Sequence, residues 1–327
     1  MARTVKVVVT GATGQVSYAL LPRIAAGEMF GDDVDVDLRL SDIPQMIDKA
    51  KGVQMELEDG AYPLLSQISA SADRAASHKD ADWVLLVGSV PRGPGMERGD
   101  LIRKNGPIFV DEGKSIAQYA SAGVRIAVVG NPCNTNCLIA RANAKGLSDD
   151  RWTAMTRLDQ NRARSLLAAK ASARVRDVKQ LVIWGNHSAT LYPDFTNAKV
   201  KGRAASEAVD KTWLENEFIP VVQQRGAAVI AARGASSAFS AAQALVDHVR
   251  SLVTATPNDD WFSAAVTSDG SYGVPKGLVS SFPLRSKGDG GYEIVKGVTL
   301  NDFAKTKLAA TIAELEKERE IVKDLLA

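Results

Sequence analysis

His187 closes an apolar run, Gln180–Trp184, in the segment Trp184-Gly-Asn-His-Ser188. A neutral imidazole near pH 7 is the natural proton acceptor when an alcohol is oxidised. A buried carboxylate would orient such a ring and stabilise the imidazolium that forms. Asp159, in Leu158-Asp-Gln-Asn-Arg162, is the candidate. Its spacing to Arg162, i to i+3, puts both on one helix face, where an ordinary surface ion pair would look the same. Two further arginines, Arg92 and Arg98, lie in the Gly/Pro-rich stretch Val90–Gly99 directly after an apolar run. A loop at the C-terminal end of a parallel strand is where such folds bind ligands. Asn131, in Asn131-Pro-Cys-Asn-Thr135, follows another such run and is placed either to reach a ligand or simply to turn the chain.

A second group of residues suits a nucleotide. Gly11-Ala-Thr-Gly-Gln-Val-Ser17 follows a β-branched run and opens a helical pattern. Gly11 and Gly14 let backbone N–H groups approach a pyrophosphate, which the positive end of the helix then attracts. Ser17 stands where a third glycine is usual. Asp42 ends the next run, Val34–Ser41, and lies 28 residues beyond Gly14. An acid there accepts hydrogen bonds from ribose hydroxyls and repels a 2′-phosphate, favouring NAD over NADP. The span exceeds the usual ~20 residues, and the stretch 27–33 reads as an inserted loop. Asp42 also suits a helix N-cap.

These residues need a scaffold. Val5–Thr10, Val34–Ser41, Trp83–Gly88 and Arg125–Gly130 read as strands, continuous in apolar character and so buried on both faces of a parallel sheet. Val16–Ala26, Ile43–Leu57, Gly113–Ala122 and Thr135–Ala144 read as helices between them. The alternation predicts an α/β doubly wound, Rossmann-type sheet. Beyond about residue 150 the pattern changes. Thr156–Ala173, Trp213–Ala232, Ser236–Thr254 and Leu300–Leu326 read as helices, and Ser263–Leu284 as strand-rich. The prediction is a nucleotide-binding domain over 1–153 and an α+β substrate domain over 154–327.

The whole chain fits an ordinary soluble protein: 327 residues, 45% hydrophobic and 24% charged, with no apolar stretch long enough to span a bilayer. The N-terminus is too short in apolar residues for a signal peptide. A net charge of +2 gives no footing to a nucleic-acid or polybasic membrane surface. Cys133 and Cys137 are the only cysteines, too few for a disulfide framework or a zinc site, and a reducing cytoplasm is expected.

Together these stretches resemble the lactate/malate dehydrogenase family, in its cytosolic malate-type branch. The resemblance runs through Val9–Gly14, Val90–Arg98, Lys104-Asn-Gly-Pro-Ile-Phe109, Gly130–Thr135, Thr156–Arg162, Gly185–Ser188, Asp269–Pro275 and Ser281–Pro283, essentially the whole chain. It implies that His187 exchanges the proton and Asp159 orients it. It implies that Arg162 grips a substrate carboxylate by a bidentate pair, and that Arg98 polarises the C2 oxygen as its loop closes. Arg92 would pair with the distal carboxylate, which separates malate from lactate. Asn131 would touch substrate and cofactor. Gly11, Ala12, Thr13, Gly14, Gln15, Val16, Ser17, Asp42, Asn105, Val129 and Gly130 would line NAD. The family has Gln where this chain carries Glu112, and an ionised Glu has no hydrogen to donate, which bears on the cofactor contact expected there. No metal is implied. The expected activity is reversible oxidation of malate to oxaloacetate by a homodimer.

Three other readings were weighed. A different 2-hydroxy acid dehydrogenase differs at the distal-carboxylate arginine. A short-chain dehydrogenase needs Tyr-x-x-x-Lys on a helix; the spacing of Tyr272 and Lys276 contains Gly273 and Pro275, which spoil a helix. A catalytically inactive nucleotide sensor would have lost His187, Asp159 or an arginine, and all are present.

Overall fold

Val7, Val8 and Val9 are inaccessible to solvent, as a strand covered on both faces must be. They belong to β1 (Arg3–Thr10), the start of a chain that alternates strand and helix: α1 (Gln15–Ala25), β2 (Val34–Ser41), α2 (Ile47–Asp59), β3 (Leu65–Ser71), α3 (Arg74–His78), β4 (Trp83–Leu86), α4 (Arg98–Tyr119), β5 (Arg125–Val128), α5 (Cys133–Asn143) and β6 (Trp152–Ala154). The computed structural model describes residues 3–326 except 92 and 94. It divides into two units, the first comprising the chain up to Ala154, Ala238–Arg250 and the residues from Glu318 on.

In the first unit the strands pair parallel in the order β6-β5-β4-β1-β2-β3. The order grows outward from β1 in both directions, which is the doubly wound arrangement, with its switch between β1 and β4. Several elements differ from expectation, including α3 and β6, which fall where no helix or strand is expected. β3 was not anticipated, because Leu65-Ser-Gln-Ile-Ser-Ala-Ser71 is polar and, as an edge strand, only partly covered. α4 begins at Arg98, fifteen residues before the helix expected at Gly113, and it runs through Gly99, Gly106 and Pro107. Those residues usually interrupt helices. Close packing explains the glycine at 113: a Cβ there would stand 2.1 Å from the Ala140 carbonyl oxygen on α5.

The second unit holds α6 (Arg157–Lys170), β7 (Val178–Lys179), β8 (Val182–Trp184), β9 (Tyr192–Asp194), β10 (Lys199–Val200), β11 (Arg203–Ala204), α7 (Ala205–Ala208), α8 (Lys211–Trp213) and α9 (Ile219–Arg233). Next comes α10 (Phe239–Val253), most of which belongs to the first unit, where the His248 ring nitrogen Nε2 lies 2.8 Å from the buried Thr153 hydroxyl on β6. β12 (Phe262–Thr267), β13 (Val279–Arg285) and β14 (Glu293–Ile294) form an antiparallel ladder in the second unit, and α11 (Asp302–Ile321) follows. Gln160 fastens α6 to the strands. Its Nε2 donates to the Leu181 carbonyl at 2.8 Å and its Oε1 accepts from Ser263 N at 3.0 Å. No helix among the described residues is long and apolar enough to cross a membrane.

Candidate active site

The glycine turn leaves β1 with φ +60° at Gly11, and a Cβ there would stand 2.5 Å from Gly88 Cα beyond β4. Only glycine satisfies both the left-handed backbone and that approach. α1 then starts from Gly14 with no side chain capping its first turn. Its leading N–H groups and the positive end of its dipole suit a phosphate. Ser17 is fully buried where a third glycine is usual. Asp42 meets the turn from the end of β2: its Oδ2 accepts from Thr13 N at 2.9 Å and Thr13 Oγ1 at 2.8 Å, while Oδ1 accepts from Ile43 N at 2.9 Å. The acid expected to meet a ribose thus also braces the glycine turn.

Asn105 is fully buried on α4. Its Oδ1 accepts from Val90 N at 2.8 Å and its Nδ2 donates to the carbonyls of Val90 at 3.1 Å and Asn131 at 3.2 Å. It ties the loop after β4 to the end of β5, beside Val129 and Gly130. Arg98 Nε donates to Glu318 Oε1 at 2.6 Å, and the other Glu318 oxygen accepts from the Thr135 hydroxyl. Among the described residues, Arg98 Nη2 is buried without a hydrogen-bond partner. The Glu318 contact therefore fixes one edge of the guanidinium. Arg92 lies outside the described residues.

In the second unit, His187 Nδ1 stands 2.5 Å from Asp159 Oδ2. Asp159 is 1% exposed and sits in the first turn of α6, where a helix favours negative charge. Its other oxygen lies 3.4 Å from Arg162 Nη1, and Arg162 Nη2 donates to Ser237 Oγ at 3.1 Å. Burial draws the Arg162 guanidinium below its ordinary range; Asp159 opposes the shift and Arg225 adds to it. The spacing that a surface pair would share is here a cluster in which a buried carboxylate joins a half-buried imidazole and a half-buried guanidinium. Such a cluster can hold a proton on a ring and present a cation to an anion.

Glu112 points its carboxylate at other protein groups. Oε1 accepts from Arg74 Nε at 2.9 Å, and Oε2 lies 3.4 Å from Nε2 of His78, whose Nδ1 is 2.8 Å from Ser115 Oγ. Burial raises the Glu112 carboxyl against the pull of Arg74 and lowers His78 to about 4, with Arg74 and Arg39 adding to the latter. Cys133 and Cys137 are buried thiols, and burial pushes Cys137 up to about 12. Among the described residues no group of three or more His, Cys, Asp or Glu side chains is arranged to hold a metal ion. Sequence reasoning passed over Gln160, Glu314 and Glu318. The first stood inside a quoted motif, and the acids were hidden among surface-like charges of the last helix.

A parallel sheet with a glycine turn at its switch point, and a second α/β unit carrying a histidine–carboxylate pair, define a dinucleotide-dependent oxidoreductase architecture. Family models describe the two halves: residues 5–151 match the NAD binding domain, and residues 156–325 the α/β C-terminal domain, of lactate/malate dehydrogenase. A curated malate dehydrogenase from Magnetococcus marinus is 54% identical over 327 residues, covering all of this chain and 99% of the relative. The crystal structure of malate dehydrogenase from Naegleria fowleri superposes with a TM-score of 0.95 at 42% identity, covering 99% of each chain. Trichomonas vaginalis lactate dehydrogenase in complex with NADH and oxamate gives 0.94 at 35% identity, covering 98% of this chain and 99% of that one. The chain belongs to the lactate/malate dehydrogenase family, and NAD is its cofactor.

Proposed function

We propose that the protein interconverts (S)-malate and oxaloacetate with NAD. The observation that carries the chemistry is the pairing of half-buried His187 Nδ1 with buried Asp159 Oδ2 at 2.5 Å, beside Arg162. With Nδ1 facing the carboxylate, the ring exchanges the substrate proton through Nε2, and Asp159 stabilises the imidazolium. Arg162 holds the carboxylate next to the reacting carbon. Arg98, braced through Nε by Glu318, offers the remaining edge of its guanidinium to the C2 oxygen, stabilising charge as it develops there. Asn131 orients substrate at the end of β5, and Arg92 receives the distal carboxylate. The glycine turn and the uncapped start of α1 hold the pyrophosphate, with Asp42 at the ribose. NAD, when bound, accepts the hydride. The Glu112 carboxylate, already paired with Arg74, shapes the cofactor side of the first unit from within.

The choice of malate rests on the 54%-identical relative and on Arg92 in the sequence. The second reading, lactate or another 2-hydroxy monocarboxylate, is supported by the oxamate-bound relative at 35% identity. Initial rates of NADH oxidation with oxaloacetate and with pyruvate separate the two. Oxaloacetate is expected to be faster by at least ~100-fold, because a closed site with an unpaired arginine is costly. Preference for pyruvate would overturn the assignment. Arg92→Gln should abolish that preference, and undiminished oxaloacetate turnover in the variant would remove Arg92 from the substrate.

The domain division at residue 153 is proposed on the two family matches, which end at 151 and begin at 156. A cytoplasmic homodimer is proposed on the resemblance. Phe239, 78% exposed, together with Tyr18 and Met55, gives the first unit apolar side chains for such an interface to cover. Light scattering on the purified protein tests it, and a monomer would refute it.

A further inference from the structure

After Trp184 the chain turns through Gly185-Asn-His-Ser188 to Thr190, and the turn lies against α11. At Gly185 φ is +87°, and a Cβ would stand 2.0 Å from Thr311 Cγ2, so a larger residue would lift the turn off the helix. Thr311, fully buried, accepts from Asn186 N through Oγ1 at 2.9 Å. One helical turn on, Glu314 Oε2 accepts from Asn186 Nδ2 at 2.9 Å, from Thr190 Oγ1 at 2.6 Å and from Ser188 Oγ. The Thr190 and Thr311 hydroxyls lie 3.0 Å apart.

Each hydroxyl has one hydrogen, which orders the network. Ser188 gives its hydrogen to the carboxylate, and Thr190 directs its own to the carboxylate at 2.6 Å, with Thr311 as the more distant acceptor at 3.0 Å, while Thr311 also accepts from the Asn186 backbone. The residues immediately before and after His187 therefore both end on one oxygen of Glu314. Hydrogen bonds to an ionised acceptor are roughly twice as strong as neutral ones. His187 itself spends Nδ1 on Asp159, so the ring is aimed by Asp159 and its backbone is fixed by Glu314.

We propose that Glu314 is a positioning residue for proton transfer: it locks the 186–190 turn so that the His187 ring meets Asp159 in line. The proposal rests on the reading of His187 as the proton acceptor. A neutral or absent acceptor at 314 lets the turn shift, and a misplacement of about 1 Å at a reacting group can cost about 100-fold in rate.

The test compares Glu314→Ala, Glu314→Gln and His187→Asn with the parent enzyme. It reads kcat and KM for oxaloacetate, NADH affinity by fluorescence, melting temperature, and the low-field proton resonance of the His187–Asp159 pair in the free protein. Glu314→Ala should lower kcat by about 10–100-fold with KM and NADH affinity within about 3-fold, and should lose or broaden the low-field proton. Glu314→Gln keeps one acceptor oxygen and should fall between. If Glu314→Ala keeps parental kcat and the resonance while His187→Asn is inactive, the proposal fails and the reading of His187 stands. If His187→Asn remains active, that reading fails, and the resonance alone still decides whether Glu314 positions the ring. Should Glu314→Ala not fold, Ser188→Ala deletes a single donor and should lower kcat by about 3-fold with the same resonance change; an unchanged kcat and resonance there overturns the proposal.

Discussion

Replacing Asp159 by Asn keeps the size of the side chain and removes one buried charge. Asp159 is 1% exposed and its Oδ2 lies 2.5 Å from His187 Nδ1, so an imidazolium formed in the proposed reaction would have its counter-charge in direct contact. With charge centres about 4 Å apart and an effective dielectric constant of about 20, the attraction is about 4 kcal/mol, equivalent to about 10³ in rate. The amide has two ways to face the ring. Its oxygen would preserve the tautomer and lose only the charge. Its NH₂ would force the proton to the far nitrogen and leave no base there, so 10³ is the smaller of the two losses. Arg162 also loses its neighbour at 3.4 Å, which raises KM for oxaloacetate without affecting the first unit. Stopped-flow NADH oxidation in single-turnover mode, with NADH affinity measured separately, isolates the chemical step. A loss of less than about 10-fold with intact NADH binding would mean that the carboxylate does not carry the proton-transfer energetics, and the assignment of the pair would fall.

Glu318→Gln weakens the contact that fixes Arg98 Nε at 2.6 Å; kcat/KM for oxaloacetate should fall about 10-fold with NADH affinity unchanged, and an unaltered kcat/KM would show that the contact merely fastens α11. His78, fully buried, is held down to about 4 from an ordinary 6.5, so below pH 6.5 the unfolded chain takes a proton that the native one refuses. Stability is therefore lost as pH falls from 6.5 towards 4, by about 2 kcal/mol between pH 7.5 and pH 5. Glu112, raised by burial, acts in the opposite sense, so the comparison is between parent and His78→Gln: urea midpoints should be less pH-dependent in the variant, and parallel curves would contradict the buried neutral ring. Gly113→Ala puts a methyl 2.1 Å from a backbone carbonyl and should cost about 2–3 kcal/mol, read as a lower melting temperature; an unchanged melting temperature would mean α4 and α5 can part freely.

The residues proposed to carry the chemistry stand out in the sequence because their types and their places in the chain agree. Val7, Val8 and Val9 announced a doubly covered strand, and the glycines after them announced a tight turn, which packs at Gly11 against Gly88. His187 stood out by leaving an apolar run into small polar residues. What failed was anything fixed by a distant partner. The first half of α4 carries Gly99, Gly106 and Pro107, so local propensity argues for a loop, whereas packing against residues distant in sequence favours the helix: a Cβ at Gly106 would stand 2.3 Å from the Leu325 side chain. β3 is polar because it is an edge, and an edge strand has one side to give to water. The cofactor contact expected at Glu112 comes from the family resemblance; its protein partners, Arg74 and His78, lie 38 and 34 residues away in sequence and are not visible locally.

The last helix shows where a stronger signal lay. The sequence reading of Leu300–Leu326 as a helix rests on an apolar stripe of Leu300, Phe303, Leu308, Ile312, Leu315, Val322 and Leu325, of which Leu308, Leu315 and Val322 are buried. Thr311 and Glu318 are equally buried and fall on the same helical face, at offsets of three and four from those residues, with Glu314 alongside. A stripe built only to fill a core has no use for a threonine and two glutamates, since each must find donors when it is covered. Their partners are the turn that bears His187, for Thr311 and Glu314, and Arg98 with Thr135, for Glu318. Polar residues at helical spacing within an apolar stripe thus point to neighbours that need hydrogen-bonded support. In this chain those neighbours are the side chains assigned to proton transfer and to the substrate oxygen.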